Sequence, residues 1–158
     1  MTVPKPPCKA VEIPATARKS NYPEPFASRM EGRTKRRLGD HFGLVNFGVN
    51  QTELAPGGAS ALLHQHSRQD EFIYILEGTP TLRYGDQEVQ LEPGDCMGFA
   101  CAADLPHQLL NRTAQRVVYL EVGDRSAGDQ VVYPEDDIRA EMGPEGWVFS
   151  HKDGSPYL

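Results

Sequence analysis

The 158-residue chain carries 16 lysines and arginines against 22 aspartates and glutamates, a formal net charge of −6 with a sequence pI near 5.3. Such an acidic balance excludes a broad, non-specific nucleic-acid-binding face, which needs clustered cations to displace counterions. With 39% hydrophobic residues, 24% charged residues and no apolar run long enough to span a bilayer, the sequence predicts one soluble, cytoplasmic domain. Its expected partner is a small molecule, not a nucleic acid or a membrane.

Residues 1 to about 26, opening "MTVPKPPCKAVEIP", are rich in Pro, Lys and small residues and lack periodicity or an apolar signal core. They read as the start of an N-terminal arm, taken as 1–43, that packs on the rest of the domain. Within it, "GRTKRRLG" at 32–39 reads as a solvated surface turn, with an anion contact, for example to a substrate phosphate, as the sharper alternative. From residue 44 to 125 short β-type segments follow, among them "LVNFGVNQTEL", "SALLHQH", "EFIYILEG", "TLRYG", "QEVQLEPGD", "CMGFA", "HQLLNR" and "RVVYLEV". Turn chemistry at "APGG", "EGTP", "YGDQ" and "EPGD" separates several of them, a pattern of all-β sandwiches, jelly rolls and barrels.

The remainder, 126–158, belongs to the same domain. "YPEDDIRAEMG" predicts a short peripheral helix, with Pro134 in the first turn, acids at its positive end and Gly143 as its stop. "GWVFSHKDGSPYL" predicts a last strand or ordered tail bearing the only tryptophan. Cys8, Cys96 and Cys101 are odd in number and lack CxxC spacing, which predicts reduced thiols and no cysteine metal site.

In "FIYILEG" apolar residues occupy both parities, so both faces of this strand are expected to be covered. Ile73 and Ile75 share the parity of Glu71 and are assigned to the interior. Phe72, Tyr74 and Leu76 then point outward, under an arm or a second subunit, and a homodimer is expected.

The chemistry concentrates in "HQHSRQDE". In a strand, His64 and His66 project from one face while Gln65 points away. Glu71 can return to the same face after a short turn, and His107 is a fourth candidate. Three imidazoles and a carboxylate make a nitrogen and oxygen donor set suited to Fe, Mn, Ni, Co, Cu or Zn.

The spacing Gly58, five residues, His64, one, His66, four, Glu71, six, Gly78 resembles the first motif of the cupin family. "PGDCMGFACAADLPHQLLN" resembles the second, opened by Gly94 and closed by His107 and Asn111. It departs from it in having Ala100 where proline is usual, and in a stretch from Ala100 to His107 that is two residues longer than the common form. "SNYPEPF" and "WVFSHKDGSPY" are similar to segments of small bacterial single-domain cupins of the mannose-6-phosphate-isomerase-like group. The resemblance implies an all-β double-stranded β-helix, or jelly-roll barrel. It further implies one divalent transition metal per chain (Zn, Mn, Fe or Ni), with His64, His66, Glu71 and His107 as ligands.

Three functions are compatible with this resemblance. A sugar-phosphate isomerase or epimerase would use the metal to polarise a carbonyl or enediolate, and needs a base that is not a ligand. Asp70, Tyr84 and Asp104 are the candidates for that base, and Arg68 or Arg83 for a phosphate contact. The alternatives are an iron-dependent dioxygenase and a non-catalytic metal-dependent binding module. His41 and His151 read as solvated or capping residues, although a tail folded across the barrel mouth would bring His151, Lys152 or Asp153 to a ligand.

Overall fold

Strands dominate the computed structural model, which describes residues 4–16 and 20–157. In chain order they are β1 (Arg33–Arg37), β2 (Phe47–Leu54), β3 (Gln65–His66), β4 (Glu71–Glu77), β5 (Thr81–Tyr84) and β6 (Gln87–Gln90). They continue with β7 (Cys96–Phe99), β8 (His107–Leu110), β9 (Val117–Asp124), β10 (Gln130–Val132), β11 (Arg139–Gly143) and β12 (Gly146–Ser150). One antiparallel sheet runs β1-β2-β9-β4-β7. Opposite it, β12-β11-β10-β3 and β6-β5-β8 are joined by the bridges Ala59 to Leu110 and His64 to His107. The segment 58–66 is therefore the seam between two small sheets, and it is short and bent because it must pair β8 on one side and β10 on the other.

Between the sheets lies a core of Leu54, Ile75, Leu82, Phe99, Leu109, Val117 and Tyr119. Ile73 and Ile75 are buried as their parity requires, while Phe72, Tyr74 and Leu76 on the other face remain 39%, 39% and 43% exposed. Among the described residues the arm does not cover that outer face. At Gly78 the chain leaves β4 with φ +83°, and a Cβ there would come within 2.6 Å of the Arg116 carbonyl oxygen, so a side chain is excluded by both torsion and space.

The N-terminal arm goes elsewhere. Tyr22, Phe26 and Met30 pack with Val131, Tyr133, Ile138 and Ala140 in a second core on the inner face of β10 to β12. Tyr22 meets Phe149 edge to face at 5.6 Å between ring centroids, and Phe26 meets Tyr157 at 5.8 Å. The two segments that mark the small-cupin subgroup thus lie against each other and close one side of the barrel. Residues 1–3 and 17–19 of the expected arm, and Leu158 of the tail, lie outside the described residues.

Two expectations are corrected. The basic run is not a surface turn: Arg33 to Arg37 form β1, pairing with Leu54 to Asn50 of β2. Alternation puts Arg33, Lys35 and Arg37 on one face and Thr34 and Arg36 on the other. The helix expected after Pro134 is also absent. Residues 134–137 turn, and Arg139–Gly143 is strand β11, because Ala140 buries between Val131 of β10 and Phe149 of β12. The gain from that pairing outweighs the local preference for a helix. The expected strand in the tail is present as β12.

Candidate metal centre

His64 and His66 stand on the seam, one bridging β8 and the other pairing Val131 of β10, and both rings turn inward. Glu71 opens β4 on the same interior face, paired with Phe99 and Gly123. His107 opens β8. The longer loop before it contains a 3-10 turn at Cys101–Ala103 and a left-handed Asp104 (φ 49°), and these absorb the two extra residues without moving His107 off the barrel face.

The four groups converge on one point. Glu71 Oε2 lies 2.8 Å from His107 Nε2, 3.3 Å from His64 Nε2 and 3.4 Å from His66 Nε2. The other ring nitrogens are committed to acceptors. His64 Nδ1 donates to the Leu62 carbonyl oxygen at 2.8 Å, His66 Nδ1 to Asp129 Oδ2 at 2.5 Å and His107 Nδ1 to the Leu105 carbonyl oxygen at 3.4 Å. None of those partners can donate, so each neutral ring carries its proton on Nδ1 and presents a lone pair at Nε2. Three lone pairs and a carboxylate oxygen then face one another. Only a cation, or protons in its place, relieves that repulsion, and the donor set fits a first-row divalent metal. His64, His66 and Glu71 form a group that could hold such an ion.

The electrostatics are consistent. Burial alone would raise the Glu71 carboxyl, but with protons on Nε2 in place of a metal, hydrogen bonds from His107 and His64 and the charges of His64 and His66 hold it well below the usual carboxylate range. Burial pushes His107 down. At His64 burial opposes a charge, but the hydrogen bond and charge of Glu71 outweigh it and raise the imidazole. The Phe99 ring stacks on His107 at 3.6 Å and 7°, and Trp147 and Tyr133 approach His66 and His64 at 6.1 and 6.2 Å, so three aromatic rings pack around the histidines.

These residues line a cavity of about 260 Å³ whose wall also includes Arg33, Lys35, Tyr119 and Glu121. Glu121 on β9 is directly opposite Ile73, so it lies on the interior face diagonally from Glu71, roughly 7–8 Å away across the ladder. Lys35 and Asn50 (3.0 Å) both donate to its Oε1, and the Tyr119 hydroxyl donates to Oε2 at 3.2 Å. Sequence reasoning missed Glu121, although its shared parity with Val117 and Tyr119 in "RVVYLEV" marked it as inward. It also missed Asp129, wholly buried behind His66, which no local pattern reveals.

The candidate bases fall outside this cavity. Asp70 accepts from the Cys101 amide, Tyr84 bonds Gln87, and Asp104 is exposed and bonds Gln65. Asp70 and Asp104 lie in the loops before β4 and β8, and Tyr84, although paired with His107, turns its hydroxyl to Gln87. Arg83 pairs with Glu135 and Glu88 and does not line the cavity; neither does Arg68. His151 binds Asp137 at 2.8 Å and stacks on Tyr157, so with Lys152 and Asp153 it anchors the tail away from the cavity. His41 packs on Phe42, also away from it.

A cupin domain description matches residues 50–123. A crystal structure of a sugar phosphate isomerase of the cupin superfamily from Silicibacter pomeroyi is 37% identical, covers 97% of each chain and superposes with a TM-score of 0.90. The chain belongs to the cupin superfamily. A proposed sugar phosphate isomerase from Acidithiobacillus ferrooxidans is 29% identical over 83% of this cupin and 91% of its own length, with a TM-score of 0.72. A polyketide cyclase from Streptomyces resistomycificus, 21% identical with a TM-score of 0.62, shares the fold. No match is found among curated proteins.

Proposed function

We propose that this cupin is a metal-dependent isomerase of a small sugar phosphate, with His64, His66, Glu71 and His107 as the metal ligands. The observation that carries the reading is the convergence of three Nε2 lone pairs and the Glu71 carboxylate in a cavity that also holds a second carboxylate, Glu121. The likeness to a sugar phosphate isomerase over nearly the whole chain supports it. When bound, the metal supplies Lewis-acid polarisation of a substrate carbonyl.

The protein's own groups do the rest. The three histidines and Glu71 would hold the metal that faces the carbonyl end of the substrate, with Phe99, Tyr133 and Trp147 packed around them. Glu121 has no ligand role and keeps a lone pair on Oε2. It takes the proton from the hydroxyl-bearing carbon beside the carbonyl and returns it to the former carbonyl carbon, the hydroxyl proton passes to the former carbonyl oxygen, and Lys35 and Asn50 hold Oε1 in place. A half-buried, cavity-lining carboxylate that is not a ligand is what proton transfer needs and what an oxygenase does without.

The test is turnover of three- to six-carbon aldose and ketose phosphates in deuterated water. Isomerisation with deuterium entering at the transferred carbon is expected, and Glu121→Gln should lower kcat about 100-fold with metal content unchanged. Wild-type protein that carries its metal yet turns over none of these compounds would contradict the reading.

A further inference from the structure

We infer that the cavity contains a second subsite, an oxyanion-binding pole built from Arg33 with Lys35, which holds the charged terminus of the ligand while its carbonyl end faces the metal ligands. The inference rests on the reading of the metal site above and adds where and how the rest of the ligand is held.

The basis is the alternation of β1. A run of four cations in "RTKRR" would ordinarily stay in solvent, yet pairing with β2 turns Arg33 and Lys35 to the cavity. Both are half-buried. Their commitments differ. Lys35 is paired with Glu121, which holds its charge in place beside the cavity. Arg33 donates from Nη1 to the Ser60 carbonyl oxygen and has no carboxylate partner among the described residues. A guanidinium has five N–H donors, so a single carbonyl contact leaves a positioned, charged fork available.

Arg33, Lys35 and Glu121 sum to one positive charge at this pole. A half-buried cation lacking a counter-ion is costly unless a ligand supplies one. Planar, bidentate recognition of a phosphate or carboxylate is the interaction a guanidinium serves best. The cations on the outer surface do not compete for this role, because Arg83, Arg112, Arg116 and Arg125 each already pair with a carboxylate. The ligand class is a short polyhydroxy compound ending in an oxyanion, with its hydroxyls between the two poles, where Tyr119 and Glu121 offer a donor and acceptors.

The experiment is calorimetric titration of metal-loaded protein with glycerol 3-phosphate, glycerate and glycerol, using wild type, Arg33→Gln and Arg33→Lys. Gln keeps a donor for Ser60 while removing the charge, and Lys keeps the charge while losing the fork. Binding of glycerol 3-phosphate or glycerate but not glycerol, weakened about tenfold or more in Arg33→Gln and less in Arg33→Lys, is expected. Which of the two anions binds tighter distinguishes a phosphate terminus from a carboxylate one. Failure of wild type to bind either anion, or equal binding by Arg33→Gln with metal content unchanged, would overturn the subsite. Arg33-dependent binding without turnover of any sugar phosphate would retain the subsite and remove the isomerase reading. Turnover with a KM indifferent to Arg33→Gln would do the reverse.

Discussion

His66 is held from behind by Asp129, whose Oδ2 lies 2.5 Å from His66 Nδ1 while its Oδ1 accepts from the Arg68 amide at 2.7 Å and the Ser67 hydroxyl at 3.2 Å. A fully buried carboxylate tied to the β3–β4 turn thus dictates which nitrogen of His66 faces the cavity. Ligand imidazoles gain basicity and orientation from such partners.

Asp129→Asn makes the dependence measurable. Its oxygen must go on accepting from the Arg68 amide, which turns the NH2 toward His66 Nδ1. The ring then accepts there and carries its proton on Nε2. Metal affinity should fall about 10- to 100-fold, read by competition with a chelating dye, while the protein remains folded. Equal affinity in wild type and variant would show that Asp129 serves only the turn.

The tail has a pH dependence with a definite sign. Asp137 accepts from the Lys152 amide at 3.0 Å and from His151 Nδ1 at 2.8 Å, and these contacts hold its carboxyl below the usual range. Its ionised form therefore favours the folded tail. The contribution is fully present above about pH 4, the ordinary carboxylate value, and is lost as pH falls through the folded-state value. The amide-exchange protection of residues 151–157, relative to the intrinsic rate at each pH, should fall on acidification below about pH 4 in wild type, and Asp137→Asn should show the lower protection already at about pH 7. A pH-independent tail in wild type would contradict this assignment.

On the outer face of β4, Phe72, Tyr74 and Leu76 form a half-exposed apolar row that the described residues of the arm leave uncovered. A homodimer is the expected outcome, measured by light scattering at micromolar concentration. Tyr74→Lys should shift it toward monomer without loss of metal, because the side chain points away from the cavity. Monomeric wild-type protein would refute the expectation.

The sequence disclosed the interior of this site unevenly, for physical reasons. His64, His66, Glu71 and Ile73 were legible because strand parity and motif spacing are local, and the barrel followed from turn chemistry between short strands. Glu121 meets Lys35 and Asn50 only through the β1-β2-β9 pairings, and Asp129 meets His66 only through β3–β10, contacts between residues far apart in sequence. Asp70, Tyr84 and Asp104 were named for proximity in sequence, and the loop contacts that tie them to Cys101, Gln87 and Gln65 cannot be read from it. The segment after Pro134 has every local cue of a helix start, and the burial of Ile138 and Ala140 in the second core overrode them. The basic run concealed an alternation that pairing with β2 converts into one cavity-facing and one outward-facing set.

The claim on which the rest depends is that the four convergent side chains bind a metal. Elemental analysis of protein purified without tag or chelator, beside a His64→Ala, His66→Ala double variant, addresses it directly. About one transition-metal ion per chain in wild type, absent from the variant, is the predicted result for a four-ligand site of this kind. No bound metal in wild type, and none retained after incubation with Mn, Fe, Ni and Zn, would contradict it.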